Sequence, residues 1–232
     1  MSTNNLSVLI PYRSDGGERD RIFDWIQSRY RQLLPEVEIC IGEDDSDVFN
    51  RSKARNDAFA KSTKDYLLVA DADTAVEPYA VGAALFLIMQ QHRSWYIPYE
   101  WYYNINAEVS EQILLGSPSQ SILIHEGQWD HKLDSTAGML LMPRDAWETV
   151  DGYDERFVGW GYEDNAFQLA LDTLWAPHRR VGFGQGLHLH HPVGERFDQP
   201  FIKQNEILFR RYKKACGNVD LMKQVLGSKI VL

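Results

Sequence analysis

The chain has 232 residues, 44% of them hydrophobic and 25% charged, which is room for one sizeable core and the balance of an ordinary soluble globular protein. A formal net charge of −9 argues against a general nucleic-acid or anionic-membrane binder, since phosphate binding depends on clustered Lys and Arg. Two distant cysteines, no basic-then-apolar leader, and a longest apolar run (residues 80–89) below the ~20 residues that span a bilayer predict a cytoplasmic protein with reduced thiols and neither signal peptide nor membrane span.

Residues 6–11 (LSVLIP) form a short apolar run ending in turn residues, as expected of a buried parallel strand. Apolar positions at helical spacing predict a helix over 20–34, stopped by Pro35. A strand over 37–41, a helix over 50–62, a strand over 66–70 (YLLVA) and a helix over 80–91 follow. This β-α-β-α-β order predicts an α/β fold, with a mostly parallel twisted sheet flanked by helices. Beyond residue 100 the pattern loosens. A strand is expected over 136–142, a helix over 143–150 closed by Gly152, and a Gly/Trp loop at 157–161 leading into a helix over 163–174. One or two short strands are expected within 181–191, and a last helix over 201–215.

Sheets of this kind bind ligands beyond the carboxyl ends of their strands. Three polar clusters fall there, at 12–15, 43–47 and 71–74. Asp71-Ala72-Asp73 puts two carboxylates in a tight turn, a pattern able to hold one hard divalent cation against a diphosphate; a solvated acidic turn is the alternative. His188-Leu189-His190-His191 gathers three of the seven histidines. A turn brings His188 and His191 toward one ion while His190 points elsewhere, unless all three are ordinary surface histidines. Arg51 and Arg55 share a helix face near a helix N-terminus, suited to a nucleotide's charge or to simple pairing with Asp44, Asp45 and Asp47. In Gly159-Trp160-Gly161-Tyr162-Glu163-Asp164, flanking glycines let the Trp160 backbone approach a ligand, and Asp164 is a candidate general base; an acidic helix start beside a packing Trp is the alternative. The aromatic run 95–103 is either an acceptor platform or a core strand.

Together these strings resemble the β-1,4-galactosyltransferase family and its relatives, including the polypeptide N-acetylgalactosaminyltransferases, whose shared fold is called GT-A. The matching pieces are IPYR (10–13), FNRSKARNDAF (49–59), YLLVADAD (66–73) and GYDERFVGWGYEDNAF (152–167), in the family's order and spanning roughly 8–197. The resemblance implies one GT-A-like domain over 1–232, with a nucleotide-binding half to about residue 100 and an acceptor-binding half after it. It implies metal-dependent transfer of a hexose or N-acetylhexosamine from a UDP-sugar to an acceptor hydroxyl. Pro11, Arg13, Phe49 and Arg51 would contact the UDP, with Asp71 near the nucleotide and Asp73 on Mn²⁺ (or Mg²⁺). Asp44 and Gly138 complete the implied nucleotide-sugar set. Trp160 would cover the donor on a loop that moves when donor binds, Glu163 would bind the acceptor, and Asp164 would be the base of an inverting displacement. The family completes its metal site with Met and His three apart, the spacing of His188 and His191.

The chain departs from the pattern in reading Glu163-Asp164-Asn165 where the galactosyltransferases carry three acidic residues, and a compact catalytic domain without the anchor, stem and disulfides of secreted members is expected. Related N-acetylgalactosaminyltransferases with a similar motif retain configuration, so retention stays open. The acceptor is a glycan or another hydroxyl-bearing molecule, a nucleic acid among the possibilities. Two other classes compete: a nucleotidyltransferase, and an inactive glycan-binding module of the same fold.

Overall fold

The computed structural model describes residues 3–91, 93–192 and 201–228. Residue 197, where the resemblance ends, lies outside them. The elements in chain order are β1 (Leu6–Pro11), α1 (Glu18–Leu33), β2 (Glu38–Gly42), α2 (Arg51–Lys61), β3 (Tyr66–Ala70), β4 (Thr74–Ala75) and α3 (Pro78–Gln90). Then follow β5 (Tyr96–Ile97), β6 (Trp101–Ile105), α4 (Ala107–Leu115), β7 (Trp129–Leu133), β8 (Met139–Pro143) and α5 (Arg144–Thr149). The chain continues through α6 (Glu163–Leu174), β9 (Arg179–Arg180), β10 (Gln185–His188), α7 (Ile202–Ala215) and α8 (Val219–Gly227).

The main sheet has the order β2-β1-β3-β8-β5-β9. β1 pairs parallel with both β2 and β3, β8 runs antiparallel to both β3 and β5, and β9 runs parallel to β5. Only β8 therefore opposes the other strands, and the expected mostly parallel α/β architecture is what the chain adopts. β1 is buried along its whole length, which is why it reads as an unbroken apolar run. Gly42 ends β2 under α2; a Cβ there would lie 1.7 Å from the Ala54 carbonyl oxygen, so only glycine lets helix and strand meet. Asn50 caps α2 by accepting the Lys53 amide.

The second half differs from its sequence reading in detail. Within the aromatic run 95–103, Trp95, Tyr96, Tyr99, Tyr102 and Tyr103 are buried and Trp101 is partly buried against them, so the run is mainly core. The strand expected from residue 136 starts at Met139, because Gly138 takes a left-handed φ of 90°. A smaller sheet, β4-β10-β6-β7, forms beside the main one; β10 falls within 181–191, where short strands were expected, and β6 overlaps the aromatic run, while β4 and β7 are too short or too polar to show a pattern. Helices α4 and α8 also escaped the periodicity reading. Cys40 is buried and Cys216 exposed, and both are free. Among the described residues no helix is long and apolar enough to cross a membrane.

Candidate active site

The chemistry-bearing residues meet at the carboxyl ends of β1, β2 and β3. At the first of these, β1 ends on buried Pro11, and Arg13 lies across the Phe49 ring at 5.0 Å. The Arg13 guanidinium donates to the carbonyls of Asp44 and Ser46. Asp44 accepts the Asn50 amide at 2.8 Å and the Ser46 hydroxyl at 2.7 Å, and Lys53 Nζ stands 3.2 Å away. Burial works against its charge, yet these donors hold its carboxyl down to about 2. Asp44 is thus an anchor that ties the β2 end to the α2 N-terminus.

Asp71 and Asp73 diverge on either side of buried Ala72. Asp73 is brought to the histidines by backbone pairing: β4 and β10 run antiparallel in the register Thr74↔His188, and Leu189 N–H donates to the Asp73 carbonyl at 2.9 Å. His188 Nε2 is 3.6 Å and His191 Nε2 3.2 Å from the Asp73 carboxylate. All three donor atoms lie within 4.8 Å of one another, a group that could hold a metal ion. Donor atoms on one ion at ~2.1 Å and right angles sit ~3 Å apart, so the spacing fits with small adjustment. His191 Nδ1 faces the Pro192 carbonyl at 3.0 Å, which leaves Nε2, 3.2 Å from the Asp73 carboxylate, as the nitrogen directed toward a shared ion. One carboxylate with two imidazoles suits a borderline-to-hard divalent ion. Burial opposes the Asp73 charge, but the two histidines and Arg19 hold its carboxyl well below the usual range. His190 instead donates its amide to Ser110 and is not part of the group.

A second cluster forms around Arg55, whose side chain is 1% exposed. Its guanidinium lies over the Tyr153 ring at 4.6 Å and reaches Asp71 at 2.8 Å, Asp164 at 3.1 Å and Glu163 at 3.7 Å. Arg51 adds a 3.1 Å pair with Glu163. Two guanidiniums therefore face three carboxylates. The paired arginines outweigh burial at Glu163, which stays ionised below its ordinary range. Asp164 goes the other way. Burial first, then Glu163 and Asp71, push its carboxyl up to about 7 against the pull of Arg55. Its side chain is 14% exposed, enough to be reached from outside, and Tyr153 donates to it at 3.3 Å.

Trp160 is half-buried on the turn into α6. Gly159 there makes a backbone bridge to Asn50, which joins this turn to the α2 N-terminus. Gly138 accepts the Asp71 amide at 2.9 Å, and a Cβ on it would stand 2.5 Å from the Tyr102 ring. The expected site residues thus lie in contacting groups, linked through the 71–73 turn and α2. Glu163, 4% exposed, faces the arginines rather than solvent. One participant, Arg19, was given no role from the sequence, and the burial of Arg55 was not foreseen. Arg19 places Nη2 3.7 Å from Asp73 with its Nε buried and without a hydrogen-bond partner, and Arg55 was legible only as a helix-face cation. A signal for Arg19 existed: a cation in the first turn of α1 opposes the helix dipole.

Residues 125–191, which carry β8, the Trp160 turn, the start of α6 and the histidines, match the family of the N-terminal domain of galactosyltransferase. No curated protein matches the chain in sequence. Among solved structures, a Drosophila β-1,4-galactosyltransferase 7 mutant in complex with manganese, UDP-Gal and xylobiose superposes with a TM-score of 0.57 at 15% identity, covering 87% of this chain and 78% of that one. Staphylococcus aureus TarS 1–349 in complex with UDP-GlcNAc gives 0.55 at 11% identity, over 97% of this chain and 71% of that one. The same TarS fragment with UDP gives 0.57 at 11%, over 97% and 70%. The fold is that of GT-A glycosyltransferases, and residues 125–191 are similar to a galactosyltransferase domain, in line with the sequence resemblance.

Proposed function

We propose that this chain transfers a hexose or N-acetylhexosamine from a UDP-sugar to an acceptor hydroxyl, with Asp164 as the base of an inverting displacement. The observation that carries the reading is the meeting, at one set of strand ends, of a carboxylate–imidazole group with a buried-edge carboxylate poised near neutral pH. Asp73, His188 and His191 would hold Mn²⁺ or Mg²⁺, which when bound offsets charge on the diphosphate leaving group. Pro11, Arg13, Phe49 and Arg51 are assigned to the UDP, and Trp160 to the donor sugar and diphosphate. Arg19, beside Asp73, adds a cation for the diphosphate. Asp164 takes the acceptor hydroxyl's proton as that oxygen bonds the sugar's anomeric carbon and the bond to UDP breaks. Glu163 is assigned to orienting Arg51 and Arg55, since it is turned onto them. The galactosyltransferase-type segment, and the UDP-sugars held by structures of the same fold, support this choice of donor class.

Thermal unfolding with UDP, with and without Mn²⁺, tests the donor site without knowledge of the acceptor. Ligand at about 100 times Kd adds about 2.7 kcal/mol of stability. A Mn²⁺-dependent rise in Tm is expected for the wild type and its loss in Asp73→Ala. A rise that survives Asp73→Ala would refute the metal assignment, and no response to UDP would refute the donor.

A further inference from the structure

The turn that carries Trp160 is an unlikely backbone to stand alone. Gly159, Gly161 and Tyr162 take φ values of 72°, 108° and 74°, three left-handed residues within four, one of them bearing a bulky side chain. Such a residue is strained and persists only where its surroundings over-determine it. The support comes from α7. Asn205 is 1% exposed, and its amide makes three hydrogen bonds to the turn: it donates to the carbonyls of Val158 (2.9 Å) and Trp160 (3.2 Å) and accepts the Val158 amide (3.3 Å). One turn along, Phe209 stacks on Tyr162 with ring centroids 5.0 Å apart. Further along α7 and outside the turn, Tyr212 donates to Asp154 at 2.7 Å. A buried amide is unfavourable unless its hydrogen bonds are made, and an apolar residue would pack α7 onto α6 without it. Among the described residues, the Asn205 amide bonds only the backbone of 158–160.

We propose that Asn205 is a positioning residue: it fixes the resting place of the Trp160 turn beside the cleft and so sets donor affinity. The second half of this statement rests on the assignment of Trp160 to the donor made above. Asn205 touches no reacting atom. It acts by removing freedom from the turn, so that less order has to be gained when a donor arrives.

Two measurements on the intact chain separate the clamp from the function. Asn205→Asp keeps the shape and the acceptor but replaces the donor amide with a carboxylate aimed at two carbonyls. In the protein without ligand, hydrogen exchange of the 159–161 amides is expected to speed up by about tenfold or more in N205D. Calorimetric titration with UDP and Mn²⁺ is expected to show about tenfold weaker binding. Tyr212→Phe, on the same helix, is the control: it removes the Asp154 hydrogen bond and lowers Tm while both readouts stay at wild-type values. Asn205→Ser, too short to reach both carbonyls, serves in place of N205D should that variant not fold. Unchanged exchange overturns the clamp, and faster exchange with unchanged UDP binding overturns its effect on the donor. A wild-type chain that binds no UDP overturns the donor reading, while the exchange arm still decides the clamp.

Discussion

Asp164→Asn is expected to lower sugar transfer by about 10²–10⁴-fold while leaving Mn²⁺-dependent UDP binding intact, because a base speeds the chemical step without holding the donor. The substitution is nearly isosteric, and the Asn carbonyl can still accept from Tyr153 and face Arg55, so the geometry of the cluster survives. What is lost is the ability to take a proton. Wild-type kcat/KM should rise with pH through about 7, as the Asp164 carboxyl in the free enzyme loses its proton, and residual activity of the variant should lack that limb. Stability should move the opposite way. The folded carboxyl lies above its ordinary value, so its contribution is complete below the ordinary carboxylate range and fades as pH rises through about 7. Asn carries no such charge, and D164N should therefore gain Tm relative to wild type between pH 5 and pH 8. Near-normal transfer, or the same pH limb in the variant, would remove Asp164 as the base.

Much of this site could be read from the chain because each piece is local. β1 and β3 are unbroken apolar runs, and the residues that follow a parallel strand must lie at its carboxyl end. The placement of Arg13, Asp44, Asp71 and Asp73 follows from that rule alone. The i, i+3 spacing of His188 and His191 likewise survives folding. Their meeting with Asp73 does not follow from spacing. His191 is 118 positions from Asp73 and is delivered by pairing between a two-residue strand and a four-residue one, neither long enough to show a period. The burial of Arg55 was hidden for a related reason. Its own helix has weak amphipathic character, and only the arrival of α6 and Tyr153 covers the side chain. Asn205 reads as one polar residue in a helix rich in Lys and Arg, because nothing local marks which face meets a distant turn. The aromatic run 95–103 was ambiguous because apolar content signals burial and ligand stacking equally, and packing decided it.

Arg55→Met should have the largest effect on stability. Met fills much of the volume and keeps contact with the Tyr153 ring, so the change isolates the charge. With Arg55 present, two guanidiniums face Asp71, Glu163 and Asp164; without it Arg51 alone faces all three, and Arg51 reaches only Glu163 within salt-bridge distance. Removing one side of a buried ionic cluster leaves charge uncompensated, at a cost of about 3–5 kcal/mol. For a chain of this size that is on the order of 10 °C in Tm. The loss should depend on pH with a definite sign. Arg55 is the main influence holding the Asp164 carboxyl down, so its removal raises that carboxyl further. A raised carboxyl withdraws stability as pH climbs through its folded value, and the Tm gap between wild type and R55M should be smaller at pH 5 than at pH 8. Adding Asp164→Asn to R55M should recover part of the loss at pH 8, since it removes one of the three competing charges, and a double-mutant cycle reads that coupling directly. A gap that does not change with pH, together with additive effects in the cycle, would mean that Arg55 acts through packing against Tyr153 and that the three carboxylates do not share it as a counter-ion.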